Sequence, residues 1–144
     1  MGLCIFLSFT VAKAQTDLNR DLIIAAGNGE TNAVQTLLNK GADVNAQDEF
    51  GLTVLMFAAK SGNTTIVKLL LAKGASVNTK SKLLGYTALM NAAGFGNVEM
   101  VQALLDKGAE VNMRNNDGTT ALTFANESKK SEIVKLLKKN GATK

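Results

Sequence analysis

Four glycines constrain the chain most. Gly41, Gly74, Gly108 and Gly141 each follow Lys or Asn and precede Ala, at spacings of 33, 34 and 33. A fixed period of this length means stacked supersecondary units, each too small to bury its own apolar face and so dependent on its neighbours. Other positions keep the frame. Asn45, Asn78 and Asn112 fall four residues after the first three glycines, and Gly51, Gly85 and Gly118 recur at spacings of 34 and 33. Ala pairs stand at 25–26, 58–59 and 92–93, with Ala125 continuing the row, and Gly29, Gly62 and Gly96 complete it.

Each unit carries two short helical patterns. In the second unit, Val54 to Ala59 forms the first, with Thr53 placed to accept an unpaired backbone N–H as its N-cap. Thr87 and Thr120 repeat that role. Gly62 ends this helix, since glycine takes the left-handed conformation at little cost. Ile66, Val67, Leu70 and Leu71 then give the apolar stripe of a second helix, repeated by Val34, Leu37 and Leu38 and by Val101, Leu104 and Leu105. The small Ala pairs allow close approach of helices. After each Gly-Ala an extended stretch, such as Asp43-Val44-Asn45-Ala46, leads to the next turn.

Gly41-Ala42-Asp43-Val44-Asn45-Ala46, then Gly51-x-Thr53-x-Leu55 and Ala58-Ala59-x-x-Gly62, resembles the ankyrin repeat. The family's Thr-Pro-Leu-His box stands here as Thr53-Val54-Leu55-Met56, Thr87-Ala88-Leu89-Met90 and Thr120-Ala121-Leu122-Thr123, with Pro and His missing from all three. The resemblance covers residues 17–142 and implies an all-α repeat solenoid: helix-turn-helix units with β-hairpin-like fingers between them. The expected repeats span about 15–47, 48–80, 81–114 and 115–144. The end units carry polar substitutions suited to caps. Arg20 and Asp21 replace the Thr-Pro pair, Asn126 replaces the second Ala, and Lys138 replaces the second Leu of the stripe.

Residues 1–14 differ from the rest. Leu3 to Val11 is a short apolar run, followed by Ala12-Lys13-Ala14. This is the pattern of a secretory signal peptide with cleavage after Ala14, though Met1-Gly2 lacks the usual basic residue. The run is shorter than the roughly 20 residues that span a membrane. Cleavage would remove Cys4, the only cysteine, leaving a chain that suits an oxidising compartment, and Gln15 would open the first repeat. The alternative is an apolar tail on a cytoplasmic protein. Phe6 stands where a myristoylation signal needs Ser or Thr.

The composition argues against chemistry. There is no His, the side chain best suited to proton transfer near neutral pH and the commonest metal ligand. One cysteine makes neither a disulfide nor a Cys-based metal site. Gly27-Asn28-Gly29 and Gly94-Phe95-Gly96 contain G-x-G but follow no strand of a βαβ unit. Asn63-Thr64-Thr65 and Asn126-Glu127-Ser128 fit the glycosylation pattern. The net charge of +4 is too small and too scattered to argue for nucleic acid. The Lys cluster of the last repeat (129, 130, 135, 138, 139, 144) reads as a solvated cap, or else as a site for an acidic partner.

The chain is therefore expected to be a monomer with no catalytic residue, cofactor or metal, binding another protein. Family members meet partners through the finger tips and first helices of the concave face. Those slots hold Phe50, Leu52 and Lys60 in repeat two, and Leu83, Leu84, Tyr86 and Phe95 in repeat three, with Arg114 at its end. Six Phe and one Tyr exist in the chain, so aromatic residues here mark an exposed apolar patch with a charged rim, as an interface needs. The finger before repeat three is longer: Gly74 to Gly85 is eleven residues against ten for its counterparts. That insertion fits either a binding loop or tolerated drift. The expected role is an exported inhibitor, immunity protein or enzyme helper; the alternative is a cytoplasmic scaffold.

Overall fold

The computed structural model describes residues 2–143, with side chains from Cys4. Eight helices follow one another: α1 Gly2–Asn28, α2 Thr31–Asn39, α3 Val54–Ser61, α4 Thr64–Ala72, α5 Ala88–Phe95, α6 Val98–Asp106, α7 Ala121–Glu127 and α8 Ser131–Lys139. Consecutive odd-numbered helices pack side by side as an inner layer, and α2, α4, α6 and α8 form an outer one. The result is an all-α repeat solenoid.

The caps explain the helix starts. Thr53, Thr87 and Thr120 accept from the backbone N–H of Met56, Met90 and Thr123, so each inner helix after the first begins at the same frame position. Asn63 and Asn97 do the same for α4 and α6, accepting from Ile66 N and Met100 N. Glu30 and Lys130, at the same position before α2 and α8, provide no side-chain cap. Asn63, in the Asn-Thr-Thr pattern, caps α4 through its side-chain oxygen, and its Nδ2 donates to Gly29 O at 3.1 Å, joining repeats one and two.

The core lies between the layers. The Ala pairs are buried, as are Ile66, Val67, Leu70 and Leu71. Along α2 only Val34 is buried, because no outer helix covers its far side. In the last repeat Leu137 is buried and Lys138 exposed, as a cap requires. The recurring Asn residues bind repeat to repeat: Asn45, Asn78 and Asn112 accept from Ser76 N, Glu110 N and Thr143 N at 2.7–2.9 Å. No Asn stands one period before Asn45, and α1 supplies the equivalent bonds: Asn19 Oδ1 accepts from Asp43 N and Gln15 Nε2 donates to Gly41 O.

The fingers are turns and not strands. Among the described residues the one bridge is the isolated antiparallel pair Gln47–Thr53. Finger two closes by Asp48 N–H to Leu52 O at 3.0 Å, finger three by Ser81 to Tyr86 at 2.9 Å, and finger four by Asn115 to Thr119 at 2.9 Å.

The first helix runs without a break through Ala14–Gln15. No Gly or Pro lies between Leu3 and Ala26 to interrupt it. Residues 4–16 are exposed, including Ile5, Phe6, Phe9 and Val11. No helix among the described residues is long and apolar enough to cross a membrane.

Candidate protein-docking groove

Fingers two and three and the inner helices enclose an apolar groove of about 420 Å³. The extra residue of finger three widens the turn at its edge. Gly51 N–H and Gly118 N–H donate to carbonyls three residues back, on Asp48 and Asn115; Gly85 N–H reaches four back, to Ser81. The wider turn carries Leu83 and Leu84, both exposed.

Neighbouring fingers hold that turn in place. Lys82 N–H donates to Phe50 O at 2.9 Å and Asn116 N–H to Leu84 O at 3.0 Å. The Asn116 amide also donates to Leu83 O at 2.9 Å. Glycine is required for this stacking. Gly51 and Gly85 have φ of 74° and 72°, and a Cβ on either would meet the next finger, at 2.7 Å from Lys82 Cγ or 2.6 Å from Asn116 Oδ1. With their carbonyls bonded to Asn116, Leu83 and Leu84 leave their side chains exposed.

Seven of the eight residues expected from sequence line this groove: Phe50, Leu52, Lys60, Leu83, Leu84, Tyr86 and Phe95. Leu52 and Tyr86 are half-buried, the Tyr86 ring standing edge-on to Phe124 with centroids 5.5 Å apart. Phe50 and Phe95 keep 48% and 56% of their surface exposed. Arg114 does not line the groove. Its guanidinium donates to Gly118 O at 2.9 Å, within its own finger.

Sequence reasoning missed Met56, Phe57, Ser81, Asn91 and Phe124, which form the floor and walls. The repeat frame contained a pointer, since Phe57, Asn91 and Phe124 hold one register position on successive inner helices. Ser81 matches Asp48 and Asn115, and each side chain closes its finger: Ser81 Oγ accepts from Tyr86 N, and the other two from Leu52 N and Thr119 N.

The groove's electrostatics are simple. Among the described residues the buried polar ones are Thr53, Ser81, Thr87, Asn115 and Thr120, all neutral. Lys60, at the end of α3, is the one charged side chain that lines the groove among the described residues. A concave apolar surface with exposed aromatic residues and few polar groups suits docking of another molecule.

The family comparison agrees with this architecture. A family model described as ankyrin repeats (3 copies) matches residues 12–81 and 79–144. No curated protein matches the chain. Two matched blocks spanning nearly all of it, over a stack with this period, caps and two helical layers, mean that the chain belongs to the ankyrin-repeat family, whose repeats are generally protein–protein interaction modules.

Proposed function

We propose that this chain is an exported, non-catalytic module that binds one protein through fingers two and three and the inner helices beneath them. The observation that carries the reading is the groove itself. Phe50, Leu52, Leu83, Leu84, Tyr86 and Phe95 come from two repeats, yet converge on one apolar concavity. Four of them remain exposed while the core beneath is closed, and such a patch has a reason only if something covers it. Export is supported by the apolar run before Ala12-Lys13-Ala14 and by its exposure along the first half of α1. An inhibitor, immunity or enzyme-helper role suits such a module.

The test is capture of partners from the native envelope by the chain without residues 1–14, beside a folded variant with Phe50, Leu52, Tyr86 and Phe95 changed to Ser. Anchor residues typically contribute about 2 kcal/mol or more each, so the variant is expected to lose its partner. Unchanged capture would remove the groove from consideration and direct attention to the exposed lysines of α8. Mass determination of the N-terminus in the producing cell tests export: a start at Gln15 supports it, and an intact Met1 or Gly2 supports the cytoplasmic scaffold.

A further inference from the structure

One polar residue interrupts the apolar row of the inner layer beneath the groove. Phe57, Asn91 and Phe124 occupy the same register on α3, α5 and α7, and all three line the groove. A ring at 91 would continue the row; the short amide leaves its space open between two rings.

Asn91 also brings a polar demand to that space. Its Nδ2 donates to Met56 O at 3.2 Å, while its Oδ1 accepts from no group among the described residues and is not sealed from solvent. Lys60 makes no ion pair with any described carboxylate. Whatever fills the groove strips water from both. A purely apolar occupant would leave an amide oxygen without a donor and an ammonium against hydrocarbon, each a net cost. A basic occupant would set two cations together.

Resting on the docking reading above, we infer that the occupant is a protein segment whose anchor is Trp or Tyr, flanked closely in sequence by Asp or Glu. The ring enters the gap over Asn91 between Phe57 and Phe124, and its N–H or O–H donates to Asn91 Oδ1. The neighbouring carboxylate pairs with Lys60. Leu83, Leu84 and Phe95, exposed on the surrounding rim, close over the anchor and exclude water.

A fragment carrying these three features tests the chemistry without a known partner. The full chain, ¹⁵N-labelled, is titrated with 3-(indol-3-yl)propanoate, and the Asn91 side-chain amide and Phe95 backbone amide are followed by NMR. Saturable shifts are expected with a Kd of about 1 mM, the efficiency usual for a ligand of this size. 3-Phenylpropanoate, which lacks the donor, is expected to bind about fivefold more weakly. 3-(Indol-3-yl)propylammonium, with the charge reversed, is expected to be weaker still, and Lys60→Gln to remove the preference between the two indoles. Asn91→Phe places at 91 the residue its neighbours carry, keeps every apolar anchor, and is expected to abolish binding. Equal affinity for the three probes, no saturation by about 10 mM, or unchanged binding to Asn91→Phe would overturn the assignment. Capture with Lys60→Glu and with Asn91→Phe separates this inference from the docking reading. A partner kept by both but lost by the four-Ser variant would leave the groove as the docking face and overturn the acidic aromatic anchor.

Discussion

Tyr86 and Phe124 meet edge to face across repeats three and four, their ring centroids 5.5 Å apart and their planes 78° to one another. This pair forms one wall of the groove, so its packing bears on both stability and recognition. The Tyr86 hydroxyl makes no hydrogen bond among the described residues, whereas its ring has a partner. Tyr86→Phe should therefore leave stability within about 0.5 kcal/mol of the parent. Phe124→Leu should lose about 1 kcal/mol from the ring pair. Urea unfolding checks both. Tyr86 is the only tyrosine in a chain without tryptophan, so Phe124→Leu should also change the intrinsic fluorescence of the folded protein.

Lys129 has φ of 56°, the left-handed region, and it stands where earlier repeats have Gly29 and Gly62. A non-glycine residue there pays a steric cost that glycine does not. Lys129→Gly should raise stability by about 1 kcal/mol, seen as a higher urea midpoint at unchanged slope. The converse Gly62→Lys should lower it. A destabilised Lys129→Gly would mean that the lysine makes a compensating contact.

Gly96 shares the frame position of Gly62 but not its conformation. Its φ is −88°, so any residue tolerates its φ; what it lacks is room. A Cβ there would lie 2.7 Å from both Ala92 O and Met100 Sδ. The thioether can move, but the helical carbonyl cannot. Gly96→Ala should cost about 1–3 kcal/mol by overpacking, while Lys129→Gly gains, although the two positions align in sequence. Thermal unfolding of the pair checks the opposite signs.

Asn63 caps α4 through its oxygen and ties α4 to the first repeat through its nitrogen. Asn63→Ala removes both and should cost about 1–2 kcal/mol. Asn63→Asp keeps the capping oxygen and loses the donor to Gly29 O, so it should fall between the two. Hydrogen exchange should show the loss first in α2 and α4, where that bond joins the repeats.

The exposed ion pair between Lys68 and Glu99 joins α4 and α6, with about half or more of each side chain in water. Lys68→Ala should change stability by less than about 0.5 kcal/mol, and added salt should erase even that. A larger loss in urea unfolding would show that the lysine stem also contributes packing.

The sequence alone determined the solenoid, its period, its Thr caps and its buried stripes. Each depends on contacts within a repeat or with an adjacent copy, so a single rule recurs along the chain and becomes visible as a period. Thr53, Thr87 and Thr120 were legible because a cap is local, and Phe50, Leu83, Tyr86 and Phe95 because apolar residues in solvent-facing slots depart from the repeat. Tertiary structure alone decided which of those residues meet. Arg114, still exposed, bonds a carbonyl of its own finger and does not line the groove. Asn63 shows only its local surroundings in sequence, while its bond to Gly29 O spans 34 residues. The groove's floor depends on Asn91 lying between two rings from other repeats, and the space left by a small side chain has no signature until the flanking helices are placed. Gly96 and Lys129 show the same limit: aligned positions shared a frame, while the packing of each turn set its φ and the room for a side chain.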